Sequence, residues 1–525
     1  MRKKQKFRII FYSTFVVACL LAVLFFFIFF IRLQQGSENY FFSQVRTVHQ
    51  KVTSDEDYCL MFAEDKHRLV DSLELSRRWV LVGTEFSEKE KTVNIKLDLS
   101  SETRKYFDQS QAIEIYYEFI NTENEELTDS IIKGKFEEDS LQDSKELIFN
   151  QDVAIVGLSP GVYKVKIILE FACGSTEEVY ENLLVSYPFY VVWTFDWEGY
   201  DVKDSYLKFM DDLCEKHKNI PLSHLVNPRL FITPTITNER RDELKNWLLE
   251  RESSRGDSIG LHLHLFYENL AAAGIKLPEK NEEELLQTYI DMYIEPSSTS
   301  TVTSSLAEEF NKNKLKKKQI YDIPYWGYAY DDGYDIPLTY LNESELDKLL
   351  KWSITKFTEL GFKKPITFRA GGWFLDEQAL QVLENNGFVV DTSGRTKYNL
   401  GTKKMPGHWD LPITSQPYRP NINDQNSAAP PNMNIWEFPN NGADSWWYSA
   451  RDMQERFNLN WGAIGEPLYE RRVVVYLSHP DWFYVDKPKV DDLFNYIDSY
   501  SYLDDKGPVI YANLEKVYQV WENNY

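Results

Sequence analysis

Apolar residues recur along this chain in three rhythms, and each predicts a different kind of structure. Residues 9–31, IIFYSTFVVACLLAVLFFFIFFI, form one unbroken apolar run, long enough to cross a bilayer as a helix. Between Trp79 and about Pro188 the runs shorten and alternate with period two, as in TVNIKLDL, AIEIYYEFI, KELIFN and GVYKVKIILEF. Acidic, turn-rich stretches such as NTENEELTD separate them, a pattern that predicts a small all-β sandwich.

After Tyr187 apolar runs alternate with helical patterns. FYVVWTFD precedes a helical stretch at 204–218, RLFIT precedes one at 238–252, and SIGLHLHLF follows. In ESELDKLLKWSITKFTELGF the apolar positions Leu346, Leu349, Leu350, Ile354, Phe357 and Leu360 share one helical face, which stops at Gly361. PITFRAGG, GFVVDTS, NIWEFP, RRVVVYLSH and PVIYANL read as further strands. Seven or eight strand–helix units imply an α/β fold with a parallel sheet closed into a β/α barrel. An interruption at 268–342 is too long for an ordinary connection and is expected to be functional or mobile. The expected organisation is a basic tail at 1–8, a transmembrane helix at 9–31, a stalk at 32–75, a β domain at 76–187 and the barrel at 188–525.

Composition and charge sharpen this outline. At 525 residues and 43% hydrophobic content the chain can bury more than one core. MRKKQKFR, with five basic residues and no acidic one, places the N-terminus in the cytoplasm and everything after Arg32 outside, as in a single-pass cell-membrane protein. A cleaved signal peptide is the alternative, but its apolar core would be shorter and followed by a small-residue cleavage site. The net charge is −23, and without the six basic residues of 1–37 the rest carries −29, which argues against nucleic acid or anionic lipid as ligand. Cys59, Cys173 and Cys214 outside the apolar run are too few for a disulfide framework.

Catalytic groups of β/α barrels stand at the C-terminal ends of strands, and several strands here end in polar or ionisable residues. Those ends supply Asp196 and Glu198 in VVWTFDWEGY, His262 and His264 in GLHLHLF, Arg369 in FRAGGW, Asp391 in VVDTS and His479 in VVVYLSH. Because a strand sends alternate side chains to opposite faces, His262 and His264 point one way and Leu261, Leu263 and Leu265 the other. Two imidazoles and a carboxylate, for which Glu198 is the candidate, make a facial metal site with positions left open. A metal so held activates water and polarises a carbonyl, the equipment for hydrolysing an amide or ester. Asp196 would then act as base and His479 as acid, with Arg369 orienting Asp196 and Asp391 orienting His479. Structural ion pairs account for Arg369 and Asp391 equally well. In the interruption, YWGYAYDDGY offers Tyr325 and Trp326, with Tyr328 and Tyr330, to stack on sugar rings or to pack against the barrel wall.

These residues resemble the polysaccharide deacetylases, the NodB-homology carbohydrate esterases. TFDWEG is similar to a spaced form of that family's TFDDG motif, with Asp196 as base and Glu198 as metal ligand. His262 and His264 match its two metal histidines, RAGGW its arginine motif, and the Leu-Ser-His of 477–479 its closing Leu-x-His acid. The resemblance covers about 188–525. It implies a distorted β/α barrel, a divalent metal with zinc the expectation, and removal of N-acetyl groups from amino sugars of a polysaccharide. Trp373 of RAGGW joins Tyr325 and Trp326 as a substrate-binding candidate. The histidines stand two apart where the family has four, and the carboxylate is Glu, one position later. LSPGVYKVKIILEF in the β domain looks like the penultimate strand of an immunoglobulin-like fold.

Two rival readings follow from the same residues. FDWEGY resembles the end of the chitinase-type DxDWEY motif, in which the Glu protonates a glycosidic oxygen, although Thr194 and Val192 stand where upstream acids are needed. A glycan-binding protein on an inactive barrel is the non-enzymatic alternative, and metal-dependent acetate release separates it from the deacetylase.

Overall fold

The computed structural model describes residues 70–100, 113–122, 132–137, 141–143, 148–171, 176–277, 324–327, 332–401 and 404–525. The apolar run 9–31, the expected stalk up to residue 69, and 278–323 and 328–331 of the interruption, with Tyr328 and Tyr330, lie outside the described residues. Among the described residues no helix is long and apolar enough to cross a membrane. The chain divides into two compact units, one from residues up to Arg77, 92–156 and 162–183, the other from 78–91, 157–161 and 184–525.

The first unit is all-β. Val70–Leu75, Thr92–Leu99, Ile148–Ala154 and Leu141–Asp143 form an antiparallel sheet in that order. In Thr92–Leu99, Val93, Ile95, Leu97 and Leu99 are buried while the residues between them are partly exposed, so the alternation in the sequence is the alternation of the two faces. A second sheet contains Thr176–Ser186, Gly161–Phe171, Ile113–Asn121 and Ile132–Lys135. Residues 78–91, expected in the β domain, belong to the second unit. There Trp79–Leu81 pairs with 184–186, the Arg78 and Trp79 N–H groups donate to Asp505, and Arg471 donates twice to Glu85.

The second unit is built on a parallel sheet. Its order is Trp436–Glu437, Val390–Asp391, Thr367–Ala370, Ser258–Leu263, Leu222–Val226, Phe189–Trp197, Arg472–Ser478 and Ala443–Asp444. Val509–Ala512 pairs with the first half of Phe189–Trp197, and Leu222–Val226 with its second half. The two end strands are five residues apart in sequence, a stretch that spans at most about 20 Å, so the sheet must curl to bring its edges near each other. The two end strands do not pair with each other: the expected closed barrel is a curled sheet left open where 438–442 bridges the gap.

Alternation along the central strand decides what faces inward. Phe189, Val191, Trp193, Phe195 and Trp197 pack into the large core shared with the helices. Tyr190 and Val192 face a second apolar cluster with Leu225, Val390, Val473 and Val475, and the same row continues into Thr194 and Asp196. The strand Ser258–Leu263 repeats the arrangement, with Ile259, Leu261, Leu263 and Leu265 in the large core and Gly260, His262 and His264 on the other row. The helix Glu343–Glu359 buries the expected Leu346, Leu349, Leu350 and Phe357, and it starts at a reciprocal capping box between Asn342 and Glu345.

One buried ion network holds the outward side of the first strand. The Trp197 indole N–H donates to His224 Nδ1 at 3.2 Å, so His224 carries its proton on Nε2, 2.9 Å from Asp257. Burial lowers the His224 pKa and keeps the ring neutral. Asp257 also accepts from Arg251 Nε at 2.7 Å and from the Leu222 N–H at 2.9 Å. Asp257→Ala leaves buried His224 without its acceptor and Arg251 with Asp211 as its remaining carboxylate, and is expected to cost about 3–5 kcal/mol, read as a lowered urea midpoint at unchanged slope.

Candidate metal-dependent active site

Asp196 and Glu198 extend the inward row at the C-terminal end of Phe189–Trp197, and both are buried. Parallel neighbours bring the other ends beside them. His262 pairs in register with Arg369, and Asp444 with Leu477, two residues before His479. The expected residues Asp196, Glu198, His262, Trp326, Trp373 and His479 line one cleft of about 150 Å³.

Glu198 stands at the centre. Its Oε2 lies 2.7 Å from His264 Nε2 and 3.2 Å from His262 Nε2, and its Oε1 lies 3.4 Å from His479 Nε2. Burial by itself would raise the Glu198 pKa; the charges of His264 and His262 outweigh it and hold the carboxyl well below its ordinary value. His262 Nδ1 donates to the Arg369 carbonyl at 2.9 Å and His264 Nδ1 to the Tyr334 carbonyl at 2.8 Å. A carbonyl only accepts, so both rings carry a proton on Nδ1 and turn Nε2 toward Glu198. His264 Nε2 is buried and makes no well-aligned hydrogen bond, so its short approach to the carboxylate is a contact without a directed donor. Glu198, His262 and His264 can each offer one ligand atom with all three within 4.8 Å of one another. Two Nδ1-anchored imidazoles, an unsatisfied Nε2 and an ionised carboxylate are the donor set that a zinc-like cation takes.

Asp196 has a different hydrogen-bond partner. Its Oδ1 accepts from Arg369 Nη1 at 2.9 Å. Arg369 is fully buried and also donates to Thr194 Oγ1, Thr392 Oγ1 and the Thr392 carbonyl, at 2.7 to 2.9 Å. The guanidinium is thereby locked in place and fixes the orientation of Asp196.

His479 carries the opposite charge. Burial disfavours its protonated form, yet the bond to Glu198 and then the charges of Asp444 and Asp196 prevail and push its pKa up to about 10. The expected partner Asp391 is elsewhere: it accepts from the Ser393 N–H at 3.1 Å and hydroxyl at 2.8 Å, and faces Glu437 on the next strand. Sheet order is the reason. Four strands separate Val390–Asp391 from Arg472–Ser478, whereas Ala443–Asp444 pairs with it directly. Asp444 is therefore the acid of the adjoining strand whose charge acts on His479.

Asp391 and Glu437 form a buried acid pair. Burial raises both pKa values, and the charge of Asp391 adds to the rise at Glu437. Two carboxyls so placed retain a proton that the unfolded chain has already lost, so the folded state gains relative stability at low pH and loses it as pH rises above the ordinary carboxylate range. Above the ordinary carboxylate range the unfolding free energy from urea titrations is expected to fall as pH rises, by at most about 1.4 kcal/mol per pH unit for one proton, and Glu437→Gln is expected to flatten that slope.

Much of the remaining wall of the cleft is aromatic. Trp326, Trp373, Trp446, Trp447 and Trp482 line it, and Trp446 and Trp447 stay 43% and 66% exposed, open to a ligand. Tyr325, expected beside Trp326 as a sugar contact, is instead buried in the core, with its hydroxyl 3.1 Å from that of Tyr267. Tyr334, Asp444, Trp446 and Trp482 were not singled out from sequence. A signal existed for one pair, since ADSWW sets an acid close before two tryptophans.

No protein-family model matches the chain, and no curated protein does. Among solved structures, a Mycobacterium smegmatis protein described as a polysaccharide deacetylase aligns at 13% identity over 64% of this chain and 91% of its own, with a TM-score of 0.35. The peptidoglycan deacetylase PdaC of Bacillus subtilis aligns at 10% identity over 64% and 93%, with a TM-score of 0.28. A family 4 carbohydrate esterase of Streptomyces lividans aligns at 9% identity over 58% and 86%, with a TM-score of 0.26. Likenesses this distant assign no residue its role; the chemistry is read from the side chains of this chain.

Proposed function

We propose that this chain is a metal-dependent hydrolase that removes acetyl groups from N-acetylated amino sugars of a cell-surface or extracellular polysaccharide. One observation carries the reading: Glu198 is shared by three imidazoles while Asp196, on the same inward row, is held separately by Arg369. Glu198, His262 and His264 would hold the metal, zinc by donor set, which when bound polarises the acetyl carbonyl and acidifies water.

Asp196 takes the proton of the attacking water, with Arg369 fixing its carboxylate through Oδ1. The water oxygen bonds to the acetyl carbon as the C–N bond breaks, and His479, beside the Asp444 charge, gives its proton to the leaving amine. Acetate and a free amine are the products. The tryptophan walls present flat apolar faces to the sugar rings. A chitinase-type role for Glu198 is disfavoured, because a carboxylate held ionised by imidazoles cannot donate to a glycosidic oxygen.

The run 9–31 would anchor the protein in the cell membrane with the barrel outside, and the β unit, immunoglobulin-like in its strand pattern, would act as a spacer. Acetate released from β-1,4-linked N-acetylglucosamine oligomers tests the function. Release is expected with zinc, lost with chelator and restored by zinc. A folded, zinc-loaded protein that binds such oligomers and frees no acetate would establish the glycan-binding alternative instead.

A further inference from the structure

The interruption at 268–342 returns to the barrel through 332–335, and that return reaches the metal-ligand set. The Tyr334 ring stacks on the His264 imidazole at 4.0 Å between centroids and 10° between planes. Its carbonyl accepts from the His264 Nδ1–H, and its hydroxyl donates to Glu198 Oε1 at 3.3 Å. Gly371 packs close against the same ring, where a Cβ would sit 2.5 Å from its Nδ1.

The segment that carries Tyr334 is itself pinned. Asp332 accepts from the Tyr334 N–H and the Tyr200 hydroxyl, both at 2.9 Å, and its carbonyl accepts from the Tyr267 N–H at 2.9 Å. Gly333, at φ +91°, lies so close to the strand that a Cβ there would be 2.2 Å from the Leu265 carbonyl oxygen. Tyr200 follows Glu198 by two residues, so one latch ties the turn after Glu198 to the clamp on His264.

We propose that Tyr334 is the positioning residue of His264, so that the insertion completes the metal site from outside the barrel strands. A flat ring and a carbonyl from one residue set both the plane and the tautomer of the imidazole, which lowers the ordering cost of metal capture. This rests on Glu198, His262 and His264 being the metal ligands, and it is independent of which bond the enzyme cleaves.

Zinc titration of the full-length protein, stripped with chelator and followed by competition with a zinc indicator, tests it. Tyr334→Leu keeps the apolar volume but loses the flat ring, and is expected to weaken zinc binding by about 10–100-fold. Tyr334→Phe keeps ring and carbonyl and is expected to bind within about twofold of wild type, a rescue that a general loss of stability would not give. Wild-type affinity in Tyr334→Leu overturns the proposal, as does an equal loss in Tyr334→Phe. Acetate release by zinc-loaded wild type is read on the same samples. Zinc binding without acetate release sinks the deacetylase and leaves the positioning role intact, whereas a wild type that binds no zinc sinks both.

Discussion

Asp196→Asn is expected to lower kcat/KM for acetate release by about 10²- to 10⁴-fold, the range that a positioned general base contributes. The substitution is close to isosteric, and an amide oxygen still accepts from Arg369 Nη1, so the contact now 2.9 Å long survives. What disappears is the ability to take a proton. Asp196 is not among the three residues whose donor atoms converge within 4.8 Å, so zinc affinity is expected to stay within a few-fold of wild type. Steady-state kinetics and zinc titration on one preparation check both halves. If acetate release persists near the wild-type rate, Asp196 is not the base; if zinc is lost along with activity, it is a ligand.

How much of this was legible in the sequence follows from which features are local. Period two placed His262 and His264 on one face and three leucines on the other, and the same parity put Thr194, Asp196 and Glu198 in one row. A strand's own alternation needs no knowledge of its neighbours. Pairings between strands do need it. Asp391 and His479 both end apolar runs, yet sheet order sends Asp391 to Glu437 and gives His479 the neighbouring Asp444. Nothing in VVDTS or ADSWW encodes that order. Tyr334 was hidden for another reason, since its role depends on where a long insertion returns, and the aromatic pattern around it draws equal attention to Tyr325, which is core.

Glu198→Gln is expected to reduce zinc affinity by at least about 100-fold, beyond the upper end of what losing an outer-shell partner costs, because it removes the only anion of the proposed ligand set while leaving both imidazoles in place. The same change makes a second prediction in the metal-free protein, where Glu198 is the counter-charge for His479. A histidine whose folded pKa is raised from its ordinary value to about 10 contributes stability that is full at pH below about 6.5 and lost as pH climbs through the folded value. Metal-free wild type should therefore lose stability between about pH 6.5 and 10, and Glu198→Gln, which removes the leading cause of that shift, should show a shallower decline over the same window. Urea midpoints taken across that range with chelator present read the slope, and zinc titration of the same samples reads the affinity. Parallel slopes would mean that Asp444 and Asp196 hold the His479 proton without Glu198, and would move the acid's control from the ligand carboxylate to the strand end beside it.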